Sequence, residues 1–139
     1  MKKDIQNRED LSFLVSSFYA KIKTNEEIGP FFNTAIKDWD AHMGKLTDFW
    51  ENNLFAVRKY FGNPILSHQQ VDRKCNYTIN ASAFGLWLNI WFETLNDLFE
   101  GENTETLKRR ARKMGTVLLV AIYKNREEDY SSFNAQTNM

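Results

Sequence analysis

The chain has only two prolines, Pro30 and Pro64, and each stands in a local break, Gly29-Pro30 and Gly62-Asn63-Pro64. Outside those breaks no window shows the sustained apolar–polar alternation that a half-buried strand requires. Six glycines in 139 residues are too few to turn a chain of many short strands. These constraints predict an all-α domain of a few long helices joined by short connections.

Apolar spacing divides the chain further. Leu11, Leu14, Val15, Phe18 and Ile22 share one face, which predicts a helix over about 8–23, with Tyr19 at the edge of that face. Gly29-Pro30 ends the segment, and Phe31-Phe32-Asn33 follows as a tight turn or half-helix. Asp38 is placed to cap a helix over about 39–60, on which His42, Leu46, Phe49 and Trp50 fall within a quarter of the circumference. The Gly-Asn-Pro break reverses the chain, and 65–72 reads as a short helical piece bearing His68.

Residues 73–82 read as a polar connection. A helix follows with Phe84, Trp87, Leu88, Trp91, Leu95, Leu98 and Phe99 in register, ended by Gly101. A last helix over about 104–127 buries Leu107, Ala111, Met114, Leu118, Ala121 and Ile122. The segment 129–139 is polar and lacks helical periodicity, so the expected organisation is one domain over 1–128 and a disordered tail over 129–139.

Eighteen basic and eighteen acidic residues cancel, which gives no reason to expect nucleic acid or an anionic membrane as partner. The basic run 108–113 interleaves with Leu107, Ala111 and Met114 and reads as the solvated face of an amphipathic helix. One cysteine, Cys75, cannot pair internally. The first ten residues have no apolar stretch behind their charges, and apolar runs such as 117–123 are too short to span a bilayer. A cytoplasmic protein is the expectation.

Phosphate-binding loops, dinucleotide turns, HExxH and CxxC motifs and a nucleophile elbow are all absent. The chemically distinctive feature is imidazole: only His42 and His68, both among apolar or amide neighbours, in a chain that is 14% aromatic. Two histidines alone make a poor zinc site, which wants four ligands. Haem brings four nitrogens of its own, so a protein needs to offer one strong donor and a large apolar slot. Phe31, Phe32, Leu46, Phe49, Leu66, Trp87 and Trp91 are candidates to line such a slot. A crowded aromatic core with structural histidines explains the same composition, and the periodicity alone leaves both readings open.

The order of four motifs goes further. "FYAKIKTNEEIGPFFN", "WDAHMGKLTDFW", "YFGNPILSH" and "AFGLWLNIWFETL" resemble, in sequence and separation, the group III truncated haemoglobins, and they cover most of 11–98. The absence of Gly-Gly pairs also matches that group. The resemblance implies a truncated globin, a two-over-two helical sandwich around haem b (iron protoporphyrin IX). It implies His68 as the iron ligand, delivered by a short turn, and Tyr19, His42 and Trp87 as the groups that stabilise a bound ligand. Phe32, Leu46, Phe49 and Trp50 match pocket-wall positions, with Leu66, Trp87 and Trp91 as further cofactor contacts. The link from His68 to Trp87 is a few residues longer than usual, and Ala83 stands where a polar or His residue is expected.

The function so implied is binding of O2, CO or NO at a histidine-ligated haem iron. Redox chemistry with oxygen, NO or peroxide, of a peroxidase or NO-dioxygenase kind, would need an external electron donor. A haem-free helical interaction module with structural histidines is the alternative.

Overall fold

The structure is a computed structural model that describes residues 1–137; among them are six helices and no strand. The chain has the all-α fold expected from its spacing, four long helices with short ones at the half-helix and the 65–72 piece that the sequence marks.

Helix α1, Arg8–Thr24, starts where the Asn7 side chain accepts the Asp10 N–H at 3.0 Å. Acidic Glu9 and Asp10 in its first turn and basic Lys21 and Lys23 in its last complement the helix dipole. Its predicted face is fully buried: Leu11, Leu14, Val15, Phe18 and Ile22 have no exposed surface. Helix α2, Gly29–Ala35, is the half-helix anticipated at Phe31-Phe32-Asn33. It crosses α1 so closely that a Cβ on Gly29 would lie 3.0 Å from the carbonyl oxygens of Ile22 and Lys23.

Helix α3, Trp39–Phe55, is capped by Asp38, whose carboxylate accepts the Ala41 N–H. It stops five residues before the predicted end, because Ala56 adopts a left-handed conformation (φ 58°) and the chain then runs irregularly to Asn63. Helix α4, Pro64–Lys74, has the Asn63 side chain as its cap and proline in its first turn. It extends over eleven residues, one before and two beyond the short piece expected over 65–72, and Asp72 is its one buried residue.

Helix α5, Ala81–Leu98, begins at an Asn80 cap and ends at extended Phe99. Helix α6, Glu102–Thr137, is capped from a distance of a hundred residues. The Asp4 carboxylate accepts the N–H groups of Asn103 and Thr104 and the Thr104 hydroxyl. Gly101 permits this approach: its φ is +143°, and a Cβ there would lie 2.5 Å from Asp4 Cγ.

The segment expected as a disordered tail is helical over 129–137. α6 continues through Thr137, while residues 138–139 of that expectation lie outside the described residues. No glycine or proline interrupts the sequence after Gly115, and Asp129 is tied by hydrogen bonds to Arg73 of α4 and to Tyr77 in the turn after it. Polar composition marked a solvated helix there, and a helix bonded along one side does not need an apolar stripe.

The pair α1/α3 packs against the pair α5/α6, α1 meeting α5 across the middle. Aromatic rings fill that crossing: Phe18 stands edge-on to Trp91 (5.0 Å) and Trp87 (5.8 Å), and Trp50 stacks on Trp91 at 4.8 Å. At about 1.5–3 kcal/mol for each large side chain withdrawn from water, this cluster and the α1 face dominate the apolar stabilisation.

Candidate functional site

Beside the aromatic crossing the helices part and leave a cavity of about 1260 Å³ of atom-free space, its open mouth included. α1 contributes Phe18 and Tyr19, α2 Phe31 and Phe32, α3 His42, Leu46, Phe49 and Trp50, α4 His68, and α5 Phe84 and Trp87. Residues from five different helices thus converge on one apolar space, and both histidines face it.

His68 is held in one chemical form. Its Nδ1 lies 2.7 Å from the Pro64 carbonyl oxygen one turn earlier. A carbonyl can only accept, so Nδ1 carries the proton and Nε2 keeps its lone pair. Burial lowers the pKa of the ring, with the bond to Pro64 opposing it, so the imidazole is neutral near pH 7. Among the described residues Nε2 has no hydrogen-bonding partner, and no buried side-chain nitrogen or oxygen lacks one. Nε2 is therefore open to the cavity.

The opposite wall carries three polar tips on aromatic bodies. Tyr19 is 6% exposed, and burial pushes its phenol pKa well above 10.0; a hydrogen bond with the Trp87 side chain acts the other way. Indole N–H can only donate, so the phenol oxygen accepts from Trp87 and its own O–H is free to donate elsewhere. His42 stands edge-on to Tyr19 with ring centroids 6.0 Å apart. Burial first, then the charges of Lys45 and His68, hold its pKa below the usual imidazole value.

Of the residues singled out in the sequence, Tyr19, Phe32, His42, Leu46, Phe49, Trp50, His68 and Trp87 all line the cavity. Two do not. Leu66 is 45% exposed and lies outside the lining, because α4 turns the face of His68 inward and the side chain two positions earlier outward. Trp91 is fully buried in the core, its indole N–H donating to the Leu107 carbonyl at 3.4 Å. It lies one helical turn beyond Trp87 and stacks behind it, the rings within 3° of parallel.

Sequence reasoning passed over Lys45, Tyr60, Val71, Phe84, Met114 and Leu118, which also line the cavity. Three had a signal: Lys45, Val71 and Phe84 lie three positions from His42, His68 and Trp87, one turn along the same helix face. Tyr60 had none, since it reaches the cavity from the irregular segment, where its ring packs on Phe49 at 5.1 Å. Ala83, at the position where a polar residue was expected, is also in the wall.

A two-over-two helical sandwich enclosing a side cavity, with a histidine on the fourth helix, is the fold of the truncated haemoglobins. More particularly, the chain is similar to a group 3 truncated hemoglobin from Campylobacter jejuni, with 27% identity over 128 residues, 89% of this chain and 97% of that one. The crystal structure of a group III truncated hemoglobin from C. jejuni matches with a TM-score of 0.79 and 28% identity, over 89% of this chain and 97% of the other. No family model matches the sequence. The likeness to group III truncated haemoglobins, expected from the four motifs, thus extends over most of the chain, and it implies a haem cofactor. The cavity fits such a group in two respects: its apolar walls and one unpartnered imidazole nitrogen. Among the described residues no helix is long and apolar enough to cross a membrane.

Proposed function

We propose that this chain is a cytoplasmic haem protein that retains diatomic ligands, with haem b in the cavity and His68 Nε2 as the protein's ligand to iron. The observation that carries this reading is the tautomer of His68, fixed by Pro64 so that the nitrogen facing the cavity is the basic one. A carbonyl partner on the far nitrogen orients a metal-ligating imidazole and raises its basicity. Haem, when bound, supplies an iron centre with an open position for O2, CO or NO.

The chain's own residues supply the rest. The apolar rings of α1, α2 and α3 exclude water from the ligand's side of the cavity. Tyr19, kept protonated by burial and relieved of its acceptor duty by Trp87, offers its O–H to a ligand held there. Neutral His42 adds a second polar group on the same side. A neutral hydrogen bond contributes about 1 kcal/mol net. Two of them in a dry site slow ligand escape by about one to two orders of magnitude, at about 1.4 kcal/mol per tenfold. Lys45 and Tyr60 are the polar groups of the α3 side suited to the carboxylates of the macrocycle.

Retention favours transforming a ligand over delivering it, and turnover of peroxide or of NO with O2 would draw electrons from a separate donor. Peroxide turnover against an oxidisable dye, compared with free haem, separates an enzyme from a binder. The alternative of a haem-free module with structural histidines sits poorly with the cavity. It leaves without a role the apolar opening that the unpartnered His68 Nε2 faces.

The decisive variant is His68→Ala. The expected outcome is protein with wild-type far-UV circular dichroism that purifies with little haem or with a changed visible spectrum. Full haem stoichiometry with an unaltered spectrum would overturn the assignment.

A further inference from the structure

The helix that carries His68 is attached to the body unlike any other. Among the described residues α4 packs against α6 and, more lightly, α2, and its one buried side chain is a carboxylate. That carboxylate, Asp72, is one turn beyond His68, has no exposed surface, and receives both prongs of the Arg126 guanidinium, Nε at 2.9 Å and Nη2 at 2.7 Å. Arg126 also donates to the Ile79 carbonyl, and the Ile79 N–H donates to Asp72.

The same side of α6 grips α4 above and below this pair. Gln69, the neighbour of His68, donates to the Ala121 carbonyl at 3.0 Å. Arg73 donates to Asn125 and to Asp129 (Nε at 2.9 Å), and Asp129 also accepts from the Tyr77 hydroxyl at 3.0 Å. Positions 69, 72 and 73 of α4 thus meet 121, 125, 126 and 129 of α6, a polar ladder at helical spacing on both partners.

We propose that Arg126 and Asp129 are positioning residues for the haem ligand: the far third of α6, bonded rung by rung to α4, holds the His68 ring where the cavity needs it. This rests on the reading of His68 as the ligand to iron. An apolar contact sets distance and leaves rotation about the helix axis loose. A two-pronged guanidinium–carboxylate bond fixes orientation as well, and Asp72 lies on the same α4 face as His68 one turn away. Rotation of α4 by a few degrees would carry Asp72 off Arg126 and the imidazole off its line at once. The ladder also explains why α6 runs on past the last apolar residue of its core face.

The test uses the full chain with haem, as wild type, Arg126→Gln and Asp129→Asn. Hydrogen–deuterium exchange of the α4 amides reads the clamp itself, whatever His68 binds. The iron–histidine stretching band of the ferrous unliganded protein reads its consequence at the site. The expected result is exchange in α4 about tenfold faster or more in Arg126→Gln, less in Asp129→Asn, with α1 and α5 unchanged. In both variants the band shifts or broadens in the same order. Unchanged α4 exchange overturns the proposal, and so does faster exchange with a wild-type band. If Arg126→Gln loses its helical signal, Asp129→Asn, at the exposed end of the ladder, decides by the same two readouts. A wild-type protein with no iron–histidine band would instead remove the ligand assignment itself, and the positioning role with it.

Discussion

The two walls of the cavity are built on different physics. The Tyr19 side hangs on α1, α3 and α5, whose fully buried Phe18, Leu14, Trp91 and Leu95 lock together by shape. The His68 side is one helix whose only buried residue is a carboxylate, held by a ladder of charged and amide groups. Apolar packing makes a wall that is stable and insensitive to charge. A polar ladder makes a wall that is oriented but answers to pH and to the loss of a single partner. A ligand-stabilising wall needs donors at fixed distances, which rigid rings provide; a ligand-bearing helix needs its rotation set, which directional bonds provide.

The contrast breaks most visibly under mutation of the first wall. Phe18→Ala should lower global stability by about 3–5 kcal/mol, as for other large aromatic deletions in packed cores, read as a fall in the urea midpoint. Arg126→Gln should cost less than the about 3–5 kcal/mol of a fully buried broken pair, because a quarter of the Arg126 side chain is in solvent. Its effect should concentrate in α4, and equal acceleration of exchange throughout the molecule would show that the two walls are not independent.

A smaller change is expected from Tyr19→Phe in the ferrous protein: O2 dissociation faster by about fivefold, the equivalent of one neutral hydrogen bond of about 1 kcal/mol. An unchanged rate would remove Tyr19 from ligand retention. The smallest effect is with pH. His42 and His68 both have pKa values below 6.5 in the folded chain, so between 6.5 and those lower values the unfolded chain binds more protons than the folded one. Their contribution to stability is complete above 6.5 and is lost as pH falls from 6.5 through the depressed values. The urea midpoint of the haem-free protein should therefore decline between pH 7.5 and 5.5, and His42→Gln should flatten the decline.

Much of this was legible beforehand, and unevenly. The face of α1 was readable because every residue on it is apolar and buried, and the breaks at Gly29-Pro30 and Gly62-Asn63-Pro64 fall between helices as expected. The last residues of α4 and the far end of α6 were read as connection and tail for one reason. Both are helices whose packing face is polar, Gln69, Asp72 and Arg73 against Asn125, Arg126 and Asp129, and a search for apolar periodicity reads such segments as loop or tail. Within the site, motif order marked His68, Tyr19, His42 and Trp87 for one pocket. It did not separate Trp87 from Trp91, which share a helix face one turn apart, or show that Leu66 points away.

By itself, then, the sequence determined which segments are helical, where they break, and which stripes must leave water, because spacing, caps and proline act within a few residues of chain. Tertiary structure alone decided which of two stacked indoles meets the cavity and how the His68 helix is held. It also decided which tautomer faces inward, through the turn that sets Nδ1 on Pro64. Those outcomes depend on what lies across from a face, and periodicity reports only the face.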